Sequence, residues 1–73
     1  MTFNEKIVML GRNIGLNVQA KQRTGQATWN AALTVDPTLV ELTDTEFDAY
    51  YDDARLHAFM SMLLERWKDE PNA

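Results

Sequence analysis

His57 is the only histidine in the chain. Asp53 lies four residues earlier, a spacing that brings two side chains onto one helix face. An Asp–His pair is the smallest constellation that reads as a general base. No nucleophile pattern and no second histidine accompany it, so a solvated ion pair is the plainer expectation. The second chemistry-bearing group is a run of carboxylates: Asp44, Glu46, Asp48, Asp52 and Asp53. Calcium loops need oxygen donors spaced around a sharp glycine turn, and residues 36–73 contain no glycine. A metal site is therefore not expected there. A solvated helix face is the plainer expectation, and the functional one is a negatively charged docking face, either for a basic protein surface or as a partial mimic of nucleic acid. The third group is Lys21-Gln22-Arg23-Thr24-Gly25-Gln26, a polar, basic stretch that could touch phosphates like a small wing. Two cations without an accompanying basic helix are a thin basis for nucleic-acid binding.

No Walker loop, GxSxG, HExxH or zinc-ligand set is present. The chain has no cysteine, which excludes disulfides and thiolate chemistry. At 73 residues it is one domain at most. A domain of this size has a single small core and little room for a cleft holding substrate, cofactor and catalytic groups together. A compact domain over 1–70 with a frayed tail at 71–73 is expected. With 45% apolar and 25% charged residues it has an ordinary globular composition. No cofactor is called for, and the function class left standing is a non-catalytic binding module.

Charge is unevenly placed. Residues 1–35 carry Lys6, Arg12, Lys21 and Arg23 against Glu5 alone. Residues 36–73 carry ten acids against Arg55, Arg66 and Lys68. The acidic half steers towards basic partners and away from phosphates. The opening residues lack the basic and long apolar regions of a signal peptide, and no apolar run approaches the roughly 20 residues of a membrane span. A cytoplasmic protein is expected.

The elements that must position these groups read as follows. Thr2 with Glu5 forms a capping box, and Phe3, Ile7, Leu10 and Ile14 follow helical spacing, with Asn13 or Gly15 as stops. Leu16, Val18 and Ala20 then alternate with polar residues. After Arg23-Thr24-Gly25, Ala27, Trp29, Ala31, Leu33 and Val35 alternate again. Two period-2 runs around a short glycine-containing loop predict a β-hairpin. Leu39–Leu42 is a third short strand or an extended link. Thr43 and Glu46 form a second capping box, opening a helix from Thr45 to Lys68 that is either continuous or broken at Asp52-Asp53. The fold class predicted is α+β, with an N-terminal helix and a long or broken C-terminal helix packed on the sheet.

From Leu56 to Leu64, seven of nine residues are apolar, more than one buried stripe requires. Either this helix is sandwiched between the first helix and the hairpin, or Met62 and Leu64, or Met60, stay exposed and mark a partner surface or a homodimer contact. Trp29, Phe47, Phe59 and Trp67 read as core anchors. The expected docking surface combines Asp44, Asp48 and Asp52, the cations Lys21 and Arg23, and Met62 with Leu64.

The length, the opening Met1-Thr2-Phe3-Asn4-Glu5-Lys6, the cysteine-free acidic C-terminal half and the absence of catalytic motifs give the whole chain a resemblance. It resembles the small RNA polymerase-binding proteins of Xanthomonas-infecting phages, inhibitors and antiterminators of host transcription. The resemblance implies a partner, the host polymerase β′ subunit near its N-terminus. It also implies an action, blocking promoter engagement while letting elongating polymerase pass terminators, and a location in the bacterial cytoplasm. Two other classes stand beside it: an acidic, antitoxin-like inhibitor of a basic protein, and a small nucleic-acid-binding regulator using the hairpin tip.

Overall fold

The computed structural model describes residues 1–69, except for the Asp69 side chain. The tail expected at 71–73 lies outside these residues. The fold is helical: α1 (Phe3–Gln19), α2 (Thr24–Val35), a 3₁₀ helix (Pro37–Leu42), a loop, a short 3₁₀ turn (Asp53–Arg55) and α3 (Leu56–Asp69). Among the described residues there is no strand, so the α+β class and its β-hairpin are overturned.

The first capping box forms as read. Glu5 N–H donates to Thr2 Oγ1 at 3.1 Å, and Thr2 N–H donates to Glu5 Oε1 at 3.0 Å. These bonds from Thr2 hold the Glu5 carboxyl below its usual pKa. The helix then runs past Asn13 and Gly15 to Gln19, taking in the first run predicted as strand. It ends where Lys21 adopts a positive φ of 73°. Lys21 N–H donates to Val18 O and Gln22 N–H to Asn17 O. That bond pair is the Schellman closure, with lysine at the position glycine usually fills.

The second run predicted as strand is α2. Its period-2 reading selected Trp29, Leu33 and Val35, but Gly25, Thr28, Trp29 and Ala32 also lie at helical spacing, and both sets are satisfied by a helix buried on most sides. Gly25, Ala27, Thr28, Ala31 and Ala32 are all buried and all small. Small side chains let α1 and α2 approach closely, and alanine is the best helix former. Asn17 Nδ2 ties the pair by donating to Ala27 O at 3.1 Å.

Leu39–Leu42 is neither strand nor link but the end of the 3₁₀ helix, started by Asp36 and Pro37. The helix predicted from Thr45 is also corrected. Thr43 and Thr45 turn their hydroxyls back onto Val40 O and Leu42 O. Asp44 has a φ of 65°, which no right-handed helix admits. Local side-chain bonds of this kind compete with helix formation. The chain becomes helical only after Asp52, whose Oδ1 accepts from Ala54 N–H at 2.9 Å. The alternative of two helices broken at Asp52-Asp53 is overturned as well: residues 43–52 are a loop, and the 3₁₀ turn at Asp53–Arg55 leads straight into α3.

In α3, Phe59, Leu63 and Trp67 form one fully buried stripe. It packs with Leu10 from α1, Trp29 from α2, Leu39 and Ala49. The rings of Trp29 and Phe59 lie 5.2 Å apart and tilted. Phe47 packs at the edge of this cluster, half-buried. Among the described residues no helix is long and apolar enough to cross a membrane.

Candidate functional site

The charged groups singled out in the sequence fall into two sets, those consumed by the fold and those left facing solvent. Asp48 belongs to the first. It is 6% exposed. Its Oδ2 accepts from Asp44 N–H at 2.8 Å and its Oδ1 from Tyr50 N–H at 3.0 Å. The carboxylate thus staples the loop across both oxygens and is not available for docking.

Arg23 is likewise committed. Its Nη1 pairs with Asp53 Oδ1 at 2.8 Å, and its Nη2 donates to Tyr50 O. The same Asp53 oxygen accepts from Gly25 N–H at 3.0 Å. Asp53 therefore caps the N-terminus of α2, where Arg23 itself provides no side-chain cap. A carboxylate there also meets the positive end of the helix dipole. Gly25 is required by this contact: a Cβ would sit 2.4 Å from Asp53 Oδ1 and 2.5 Å from the Ala49 carbonyl oxygen.

These bonds remove the Asp–His reading. Asp53 is turned to α2, and no hydrogen bond or ion pair joins it to His57, which is exposed. The polar wing is removed too. Lys21 to Gln26 is a helix–helix turn running into α2, with Arg23 held by Asp53. Lys21 alone of the two cations points freely outward. Among the described residues no group of acids or histidines is placed to hold a metal ion.

What remains outward is the loop surface. Asp44, Glu46 and Asp52 are exposed there. Asp52 also faces Arg55 at 3.6 Å, and Arg55 Nη1 donates to Thr45 O. Between Asp48 and Asp52 stands Tyr51, 81% exposed, its ring edge-on to Tyr50 at 4.5 Å. Tyr50 is half-buried and held through its own backbone and hydroxyl. Leu64 is 39% exposed, and Met62 and Met60 are half-buried, so the outer side of α3 offers less apolar surface than its composition suggested.

Two features escaped the sequence reading. One is Tyr51, whose spacing fitted a helical stripe. The other is the Asp36 cluster at the far end of α2. Asp36 Oδ1 accepts from Thr38, and Oδ2 accepts from Trp67 Nε1 at 3.0 Å. Burial raises the Asp36 pKa, but the bonds from Thr38 and Trp67, with Arg66 nearby, outweigh it and hold the carboxyl below its usual range. Arg66 also donates to Glu41 and Thr38. This cluster locks α3 to the 3₁₀ helix and is structural.

Comparison with protein-family models, with curated proteins and with solved structures gives no match to this chain.

Proposed function

We propose that this chain is a non-catalytic protein-binding module that docks through the loop around Tyr51. The observation that carries this reading is an exposed tyrosine on a loop tied down from within. Asp48, Arg23 and Asp53 fix the backbone on the protein side. Asp44, Glu46 and Asp52 are exposed on the same loop. Tyrosine is a common energetic anchor at interfaces, and a preorganised anchor loses little entropy on binding. The carboxylates favour a basic partner surface and speed its encounter.

The resemblance names the partner to try first, a bacterial RNA polymerase bound through its β′ subunit near the N-terminus. In this reading, docking stabilises a polymerase state unfit for promoter engagement and favours passage through terminators. A ligand shifts such an equilibrium only by its differential affinity for the two states.

Binding of the purified protein to Xanthomonas RNA polymerase, and to an isolated β′ N-terminal fragment, tests both parts. Tyr51→Ala and the pair Asp44→Lys with Glu46→Lys should each weaken capture tenfold or more, and added salt should weaken the parent. Failure of the parent protein to bind polymerase at low salt would remove that partner. Tight binding that ignores these variants would remove the loop as the surface.

A further inference from the structure

We propose that the outer face of α1 pairs with the same face of a second copy of this chain, antiparallel and centred on position 13. The face is the flank of α1 beside the stripe of Phe3, Ile7, Leu10 and Ile14 that meets the core. Val8 is 69% and Val18 47% exposed on it, and between them Gly11 and Gly15 meet no atom within 4 Å of a Cβ position.

A two-fold interface must be complementary to itself, each residue meeting its symmetry mate's partner. This face has that property. About position 13, Val8 is the mirror of Val18, Gly11 of Gly15, and Glu5 of Lys21. An antiparallel pair therefore sets valine against valine at both ends and glycine against glycine in the middle. It also brings the Glu5 carboxylate within reach of the flexible Lys21 side chain. Shape agrees with charge. An open, mostly apolar groove of about 320 Å³ lies at the start of α1, lined by Asn4, Glu5, Val8 and Met9. The antiparallel register delivers the partner's Val18 to it. The missing Cβ atoms at the centre allow the backbones to approach closely, and a crossing of about 20–50° brings the end residues into line.

The surface also sets the strength. Seventeen residues make a face about 26 Å long and 10–12 Å wide. That covers on the order of 300 Å² per copy, well below the roughly 800 Å² per partner of a stable complex. The dimer is therefore weak and concentration-dependent, with a dissociation constant in roughly the high-micromolar range. The two Arg12 side chains fall on one flank, offset by about 3 Å along the axis. Their repulsion lowers the affinity further, so Arg12→Ala should tighten the dimer.

The cysteine-free chain allows a direct test of register. Val8→Cys protein and Val18→Cys protein are mixed near 1 mM and oxidised gently. The proposed pairing brings positions 8 and 18 together but holds two copies of position 8 about 15 Å apart along the axis, beyond disulfide reach. Rapid cross-linking of the mixture, with little in either protein alone, is the expected result. Cross-linking of Val8→Cys protein with itself would show a parallel pair and overturn the proposal. Sedimentation of the unaltered chain should show mass rising with concentration, and Gly15→Leu should abolish that rise. A single monomer mass up to about 1 mM, without cross-linking, would overturn it as well.

Discussion

Replacing Gly25 with alanine separates two roles that glycine plays in one small protein. At Gly25 the new Cβ would stand 2.5 Å from the Ala49 carbonyl oxygen. Ordinary contact begins near 3.4 Å, so the backbone at Ala49, itself fully buried, must retreat by roughly 0.9 Å. Crowding of that kind costs about 1–3 kcal/mol. Asp53 must withdraw as well, which breaks the capping bond from Gly25 N–H. A lost hydrogen bond to a charged group adds about 1.5–3 kcal/mol. Because the Asp53 carboxylate is half-exposed, the sum falls at the low end of the combined range, about 3 kcal/mol, still a large part of the roughly 4–11 kcal/mol available to a domain of 73 residues. It corresponds to a fall in Tm of about 12–24 °C. Thermal and urea unfolding followed by circular dichroism at micromolar concentration measures it. Gly11→Ala and Gly15→Ala, in open space within α1, serve as controls and should each gain about 1 kcal/mol from helix propensity. Adding Asp53→Ala to Gly25→Ala should not restore stability, because the Ala49 carbonyl is still in the way. A Gly25→Ala protein within 0.5 kcal/mol of the parent would refute the close-approach argument.

Lys21 closes α1 in a left-handed conformation that costs an L-residue about 1–2 kcal/mol. Lys21→Gly should raise stability by about 0.5–1 kcal/mol after glycine's own entropy is counted, read as a higher urea midpoint with an unchanged slope. Asp48→Ala strips the acceptor from two backbone amides and should cost about 2–4 kcal/mol. Hydrogen exchange should then lose protection at Asp44 and Tyr50 N–H. The Asp36 carboxyl has a folded pKa below its unfolded one, so its contribution is complete above pH 4 and is lost as pH falls through the folded value. Unfolding measured from pH 5 to 2 should show this acid limb, and Asp36→Asn should flatten it while lowering stability at neutral pH by about 1–2 kcal/mol.

The helices were legible where their ends are signalled nearby. The Thr2–Glu5 capping box marks α1 within three residues, and Phe59, Leu63 and Trp67 mark α3 at helical spacing. The hairpin error has a specific cause. Helix α2 has no local cap in Arg23-Thr24-Gly25; its capping carboxylate is Asp53, 28 residues downstream of Gly25. Helix α1 stops at a lysine, not at the glycine that advertises a stop. With both signals absent, alternation was the only pattern left, and a helix packed on most sides by alanine and glycine satisfies alternation as well as it satisfies its own period. The Thr43–Glu46 box misled for the converse reason. The residue types are right, but Asp44 between them stands at a φ of 65°, and that left-handed residue breaks the turn the box would have opened.

The charge asymmetry was visible in composition, yet its meaning depends on folding. Part of the acidic half is committed to holding the fold, although of its acids among the described residues only Asp48 is buried. Asp36, Asp48 and Asp53 each hold backbone or indole N–H groups, and Arg23 from the basic half answers Asp53. Acids counted from the sequence therefore overstate the field a partner would meet, and they misplace it. Three of the exposed acids, Asp44, Glu46 and Asp52, share one loop, and Asp48 and the Arg23–Asp53 pair are what hold that loop still. This coupling ties stability to binding. Weakening the Asp48 staple or the Arg23–Asp53 pair should leave Tyr51 and its acidic neighbours chemically intact and still reduce affinity, because an unanchored loop must be ordered on docking. The two kinds of damage differ kinetically. Removing Asp44 or Glu46 lowers the association rate, as loss of long-range attraction does. Freeing the loop by Asp48→Ala should mainly speed dissociation at a nearly unchanged salt dependence of association.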